Sequence, residues 1–488
     1  MALEDLLYPL LSAYIASPQW VKLSIGRAYS WLPTNLGRGK HYPALLRDAL
    51  QHDPTVLAKL QGDKLSASLR WALESVPAYK SHRHLLPQVA LNPHRVLAQM
   101  PLLSKDDLKN NLVNYLSNAR SASKRLKTFT GGSTASALMF YLEKGISRPK
   151  EYAFMEDFHR RIGFADDEVV LALRGRSVPT AKHPGGRLWM YEPIKRQLIL
   201  SSDHLERRYM AEYVDAMRQW KPRFIQAFPS AVIPLARWLK EYPDPVVTQA
   251  IRGIMLFSEN VYDDQMALLR SVFDCPILKH YGHSERVLMA ASMPDDERCF
   301  FWPQYGLVEL IDEHGQTIAP DQIGVLGELV GTSFDNQVMP MLRYRTGDMA
   351  MWSATEHPQL PGFPVVERIE GRLQEFIVCQ DQRLISICTI GAAHLGDLAA
   401  VETMQYEQYQ TGHFILKVVT RTPLSEAARQ RMVKAVVEKT QGGCTAEIVE
   451  VGQIARTSRG KHKMLIQHLD LSKYFGSSLQ DIVKEKDV

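Results

Sequence analysis

Apolar residues recur at every third or fourth position through most of the first hundred, as in LLRDALQHDPTVLAKL and LSASLRWALESV, a spacing that predicts helices. Pro77 ends that run, because a proline pushes the residue before it out of the helical region. Ser104 before Lys105-Asp-Asp-Leu108 predicts another helix start, with an N-cap hydroxyl and acidic first-turn positions. From 150 to 250 the pattern alternates. A helix in EYAFMEDFHRRIGF precedes the apolar run VVLAL at 169–173, which reads as a buried strand. DHLERRYMAEYVDAMRQW reads as a helix opened by Asp203 and Glu206 at capping-box spacing. Its core face carries Leu205, Tyr209, Tyr213, Met217 and Trp220. Then come a strand (PRFIQAF), a turn at Pro229-Ser230 and a helix (SAVIPLARWLKEY). IRGIMLFSENV and CPILKHYGHSE are two more short apolar strands, separated by the helix DDQMALLRSVF.

Strands that alternate with helices imply parallel β-structure with crossover connections. Residues 305–350 turn β-rich, and after Arg372 the pattern becomes a small α+β unit. That unit has an exposed-looking strand pair (VETMQYEQ, HFILKVVT), a helix (LSEAARQRMVKAVVEK), a Gly442-Gly443 stop and a strand (TAEIVEV). The expected fold is therefore a large α/β N-terminal domain, residues 1–373, with layered α/β sheets and a β-rich subdomain. Its first hundred residues are mostly helical. A small mobile α+β C-terminal domain, residues 374–488, completes it.

Composition changes this picture little. The 488 residues are 45% hydrophobic and 23% charged, enough apolar surface for full-sized cores in two or three domains. Fifty-eight basic against 53 acidic residues give a net charge of +5, too diffuse for a nucleic-acid partner. The five cysteines are scattered, with no C-x-x-C pair, which points to a reducing cytoplasm rather than a disulfide framework. MALEDLLYPLLSAYIASPQWVKL lacks the basic start and cleavage site of a signal peptide. Glu4, Asp5, Gln19 and Lys22 interrupt its apolar residues, so an amphipathic helix is expected and no integral membrane segment.

The candidate chemistry begins at Thr130, Gly131, Gly132, Ser133 and Thr134, in KTFTGGSTASALMFY. Two glycines let the backbone approach an anion, the hydroxyls can donate to phosphate oxygens, and Lys127 adds charge nearby. The Gly-Lys-Ser/Thr ending of a Walker loop is absent. Two strand ends carry polar clusters: Ser258, Glu259 and Asn260, then Tyr281, Gly282, His283, Ser284 and Glu285. In open α/β sheets ligands gather at the carboxyl ends of strands, so both clusters are expected to face one crevice.

Five segments then stand in a familiar order. TGGSTASA, YGHSE, YRTGD, GRLQEFI and RTSRGK resemble the ordered motifs of the adenylate-forming, acyl-CoA ligase-like superfamily, most closely its phenylacetate–CoA ligase and capsule-locus CapK-like branch. The resemblance runs from about Val76 to Lys463. Ala135 and Ala137 depart from the usual Gly and Pro of the phosphate loop. Met139 replaces a polar or basic residue, and Ala455 the proline before Arg-Thr.

The resemblance implies an enzyme that uses ATP and Mg²⁺ to turn a carboxylic acid into its acyl-adenylate, releasing pyrophosphate. The acyl group would then pass to CoA, a carrier-protein thiol, an amine or a hydroxyl, such as one on a sugar in surface-polysaccharide biosynthesis. By the same resemblance, residues 130–134 cradle the β- and γ-phosphates, with Ser258, Glu259, Gly282 and Ser284 also around the nucleotide. Tyr281 stacks on adenine, Asp348 binds both ribose hydroxyls, and Arg372 lies near the ribose and α-phosphate. Glu285 holds Mg²⁺, Lys461 is the catalytic lysine, and Gln374 is the hinge. Some relatives carry a metal cluster after the Y-G-x-S-E motif. Here His283 and Cys299 survive, but too few Cys or His lie near them to complete a tetrahedral site, so no zinc is expected. Walls at 228–230, at 258–260 and at His283 suit an aromatic or hydroxylated acid. Two other readings remain: a nucleotidyltransferase that leaves AMP on its acceptor, and a non-catalytic nucleotide-binding protein.

Overall fold

The structure, a computed structural model, describes residues 14, 17–31, 37–130, 138–165, 167–174, 178, 186–202, 204–372, 376–387, 401–440, 442–455, 462–471 and 474. The helical run near the N-terminus folds as α1 (Gln19–Ser30), α2 (Pro54–Ser75) and shorter helical turns. Asp53 caps α2 by accepting from the N–H groups of Thr55 and Val56 at 2.9 and 3.1 Å. Pro54 stands first in the helix, where its missing N–H costs nothing, and α2 ends at Ser75, before Pro77. In α3 (Lys105–Asn111) the expected cap forms: Asp107 N–H donates to Ser104 Oγ at 3.1 Å, and Ser104 N–H to Asp107 Oδ2 at 2.8 Å.

A hairpin of β1 (Arg125–Phe129) and β2 (Met139–Glu143) leads to α4 (Ser147–Arg161). Next come β3 (Val170–Leu173), β4 (Trp189–Glu192), β5 (Gln197–Leu200), α5 (Met210–Trp220), β6 (Phe224–Ala227), α6 (Pro229–Glu241), β7 (Gly253–Phe257), α7 (Asp263–Val272) and β8 (Ile277–Gly282). Strands β5, β3, β6, β7 and β8 pair in parallel in that order. Every residue of β3, β6 and β7 is buried, as a parallel sheet covered on both faces requires.

The sheet does not stop there. β9 (Met289–Met293), β10 (Asp296–Phe301), β11 (Gly306–Ile311), β12 (Thr317–Ile318), β13 (Leu326–Ser333), β14 (Tyr344–Trp352) and β15 (Val365–Arg372) continue it through antiparallel pairings. The order across the described residues is β12-β11-β13-β14-β15-β10-β9-β8-β7-β6-β3-β5-β4. The β-rich region is thus part of the same mixed sheet as the parallel half.

After β16 (Phe376–Val378) and β17 (Leu384–Ser386), a smaller α+β unit holds β18 (Val401–Gln410), β19 (His413–Thr420), α8 (Glu426–Lys439), β20 (Thr445–Glu450) and β21 (Leu465–Gln467). Its four strands order as β20-β19-β18-β21. The strand pair expected to be exposed is not: Met404, Tyr406, Phe414, Leu416 and Val418 are buried in one core with Met432 and Val436 of α8. Tyr262, just before α7, joins that core, so the small unit packs on the large one. Arg237 also donates to the Glu402 carbonyl, and Arg421 pairs with Glu241 at 3.2 Å. The expected division at 373/374 falls outside the described residues.

Two local expectations fail. α5 begins at Met210 after a 3₁₀ turn at Arg207–Tyr209, later than the start expected at Asp203, and the Glu206 carboxylate pairs with Arg208 at 2.7 Å. Asp203 lies outside the described residues. Pro229 is not a turn residue but the first residue of α6, for the reason given for Pro54.

Candidate active site

Where β3, β6, β7 and β8 end, their following loops surround a cavity of about 830 Å³. The hairpin β1–β2 brings Thr130 to it. Thr130 N–H donates to the Leu138 carbonyl at 2.8 Å, and Leu138 N–H donates back to Thr130 Oγ1 at 2.9 Å. These two bonds pinch the base of the glycine-containing segment. Gly131, Gly132, Ser133 and Thr134 themselves lie outside the described residues, as do Gln374 and Lys461.

At the end of β7, Ser258 adopts φ = +63°, a left-handed conformation that is costly for a residue with a Cβ. The turn it makes sends Glu259 toward α6, where the carboxylate accepts from Ser230 N–H at 2.9 Å and Ser230 Oγ at 3.0 Å. The same carboxylate accepts from the backbone N–H of His462, in the small unit, at 3.3 Å.

β8 delivers Tyr281, Gly282, Ser284 and Glu285 to the same cavity. The Tyr281 hydroxyl donates to Asp348 Oδ2 at 2.7 Å, and burial together with that carboxylate raises its pKa well above the usual phenol range. Its ring meets Phe301 and His283 edge-on, with centroids 6.0 Å away in each case. Glu285 is 5% exposed, and its Oε1 accepts from the Tyr344 hydroxyl at 2.6 Å. Burial alone would raise its carboxyl; His283, Tyr344 and the charge of Lys105 outweigh that and hold it at about 2. His283 Nδ1 lies 3.5 Å from Oε2, too long for a good hydrogen bond, so Tyr344 is the firm partner.

Asp348 sits on β14 opposite Arg372 of β15, so two motifs separated in the chain become register partners. The turn before Asp348 is held by Glu328, which accepts from Arg345 at 2.5 Å and from Gly347 N–H at 3.0 Å. Gly347 has φ = +78°, a conformation that favours glycine.

Thr130, Ser258 and Glu259 thus share one cavity with Tyr281, Gly282, Ser284, Glu285 and Asp348. Sequence reasoning missed other residues there. Tyr344 lay inside the quoted YRTGD segment, yet its bond to Glu285 needs the fold. Lys105 read only as a first-turn helix residue; a parallel bridge between Leu103 and Tyr344 carries it to the cavity, where Nζ donates to the Thr346 carbonyl at 3.3 Å. Arg174 and His280 were not singled out either, although both line the cavity.

Glu285 is suited to a hard cation: an ionised, half-committed carboxylate facing space enough for phosphate. Mg²⁺ binds through one or two carboxylates plus phosphate oxygens, so a single protein carboxylate suffices. Among the described residues no three His, Cys, Asp or Glu side chains group as a metal site. No described helix is long and apolar enough to cross a membrane.

No protein-family model matches the chain. Over 302 residues it is 22% identical to Protein CapK of Staphylococcus aureus, a match that covers 60% of this chain and 63% of CapK, less than two thirds of that relative's length. Two solved structures of 2-hydroxyisobutyryl-CoA ligase in the postadenylation state resemble it over most of their lengths. The complex with R3-HIB-AMP aligns with a TM-score of 0.63 at 17% identity, covering 93% of this chain and 97% of the other. The complex with 2-HIB-AMP gives 0.62 at 17% identity, covering 86% and 91%. At this identity the likeness shows the fold, which this chain shares with 2-hydroxyisobutyryl-CoA ligase.

Proposed function

We propose that this protein is an adenylate-forming ligase that activates a carboxylic acid with ATP and Mg²⁺ and passes the acyl group to CoA or another acceptor. The observation that carries the reading is the convergence of sequence-distant motifs on one cavity: Thr130, the β8 cluster ending in Glu285, and Asp348 with its partner strand.

In the first half-reaction a carboxylate oxygen attacks the α-phosphorus of ATP. The bond from that phosphorus to the β-bridging oxygen breaks, and pyrophosphate leaves. Asp348, aligned by Tyr281, accepts from the ribose hydroxyls, and Arg372 on the adjacent strand lies near the α-phosphate. The loop of residues 130–134 donates to the β- and γ-phosphates. Ser258, Glu259, Gly282 and Ser284 close the walls. Glu285, kept ionised, holds Mg²⁺, which neutralises phosphate charge when bound. Lys461 bridges the carboxylate and α-phosphoryl oxygens as charge develops there.

The bond from His462 to Glu259 supports delivery of the neighbouring lysine to this cavity. In this reading residues 374–488 form a lid that turns about Gln374. That rotation withdraws Lys461 and admits the acceptor. The thiol, amine or hydroxyl then attacks the acyl carbon, and AMP leaves. The CapK likeness favours an acceptor in surface-polysaccharide biosynthesis, and the need for ATP and CoA suits the cytoplasm.

The test is pyrophosphate release with ATP and Mg²⁺ across aromatic, hydroxy, amino and fatty acids, with and without CoA, with products identified by mass. Acid-dependent release with an acyl-AMP product is expected. Acid-independent release with AMP left on an acceptor would instead make the protein a nucleotidyltransferase. Nucleotide binding with no release from any acid would make it a non-catalytic binder.

A further inference from the structure

The Gly442-Gly443 stop after α8 does more than end the helix. It carries Cys444 to Cys379, which follows β16 and stands 65 positions earlier, and Cys444 Sγ donates to Cys379 Sγ at 3.4 Å. Both thiols are buried in the core of the small unit, between the β16–β17 turn and the connection from α8 to β20. Hydrogen bonds fix the backbone on both sides. Gln380 N–H donates to the Gly443 carbonyl at 2.8 Å, Cys379 N–H to the Arg383 carbonyl at 2.8 Å, and Cys444 N–H to Thr440 Oγ1 at 3.0 Å. A Cβ at position 443 would stand 2.9 Å from both Cβ and Sγ of Cys379, so glycine there lets the two sulfurs meet. The turn residues beside them, Gln380, Asp381, Gln382 and Gly442, are exposed, so a local opening of either turn admits a small solute.

Buried cysteines often serve only as small hydrophobes. This pair is asymmetric. The hydrogen bond from Cys444 favours the thiolate of Cys379 and lowers its pKa despite burial, whereas the same contact and burial raise that of Cys444. A thiolate is the form that reacts with peroxide, and a second thiol within reach resolves the product.

We propose that Cys379 and Cys444 are a peroxide-reactive dithiol whose oxidation forms a reversible disulfide that locks the small unit. The Cys379 thiolate attacks one oxygen of a hydroperoxide, the O–O bond breaks, the leaving oxygen takes a proton, and Cys379 becomes a sulfenic acid. The Cys444 sulfur then attacks Cys379 Sγ. The S–O bond breaks, hydroxide leaves with the Cys444 proton as water, and the S–S bond closes. Two thiols lose two electrons, and one peroxide gains them. The cross-link closes a long loop in the unfolded chain and so favours the folded small unit.

In the test, the full chain is reduced, freed of reductant, treated with hydrogen peroxide, alkylated in denaturant, digested and mapped by mass. A peptide pair joined through Cys379 and Cys444, two hydrogens lighter than the dithiol and restored by dithiothreitol, is expected. Cys275 is the internal control. It is half-buried, and burial with the neighbouring Asp274 pushes its thiol up to about 12, so the pair should react roughly tenfold faster or more. Cys444→Ala should stop at a Cys379 sulfenic acid that dimedone traps, and Cys379→Ala should leave Cys444 a thiol. A variant with Cys275, Cys299 and Cys388 all changed to Ala keeps both partners; it should still form the bond, and its melting temperature should rise by several degrees on oxidation and return on reduction. Cys379 and Cys444 both left as thiols while Cys275 is oxidised, a cross-link to another cysteine, or a melting temperature that the bond does not raise would overturn the inference.

Discussion

Asp348 and Lys461 carry the sharpest single-residue consequences. Asp348 accepts from Tyr281 through Oδ2 and is aligned on β14 beside Arg372. Removing a carboxylate that binds two hydroxyls forfeits charge-assisted hydrogen bonds worth about 2 kcal/mol or more, so Asp348→Ala should weaken ATP affinity by roughly thirtyfold. Calorimetric titration checks this, and unchanged affinity would remove Asp348 from the ribose site. Lys461→Ala should instead slow acyl-AMP formation by about a hundredfold or more and leave ATP binding nearly intact. Rapid-quench measurement of acyl-AMP decides it, since wild-type formation would end the lysine's assigned role. The two variants separate nucleotide binding from chemistry. Asp348 and Glu285 were legible because their motifs carry charge in a fixed local spelling. Lys105, Arg174 and Tyr344 were not: their positions in the cavity come from a bridge, a strand end and a strand pairing that no local pattern encodes.

At the scale of elements, the packing of α4 on β8 makes a measurable demand. His159 of α4 meets Gln226 of β6 and His280 of β8 meets Phe158 of α4; both imidazoles are half-buried and both are held down at about 3. An unfolded histidine takes a proton near pH 6.5, so below that the unfolded chain binds protons that the folded one refuses. Stability from each neutral imidazole is complete above about pH 6.5, declines by about 1.4 kcal/mol per pH unit below it, and levels off near the folded value of about 3. The melting temperature should therefore fall between pH 7 and pH 5. His159→Gln, which retains an acceptor for Gln226, should reduce that slope; identical slopes in wild type and variant would contradict the assignment. Apolar periodicity had already located most elements here, including α4, β3 and β6–β8. Some local signals misled: α5 opens at Met210 rather than at Asp203, and the β18–β19 pair was covered by α8.

At the scale of the whole molecule, the alternation of strand and helix announced a parallel sheet and a smaller α+β unit, and both are present. The continuity of the sheet was not legible. It depends on β8 turning antiparallel to β9 and on β10 pairing with β15, across more than sixty residues, and such long-range register leaves no trace in a window of sequence. That continuity matters to function, because it places Asp348 on β14 within reach of Tyr281 on β8. The small unit meets the large one at Tyr262, Arg237, Glu241 and Glu259, so the same surface that frames the cavity also receives the proposed lid. The central claim is that a carboxylate oxygen attacks the α-phosphorus in this cavity. Its most direct test uses an acid turned over by the protein, labelled with ¹⁸O in the carboxylate that is activated, with ATP, Mg²⁺ and acceptor. Attack at phosphorus followed by cleavage of the acyl C–O bond must leave one ¹⁸O in the AMP product, and mass spectrometry of AMP should find it. AMP free of label, or ADP as the nucleotide product, would contradict the account.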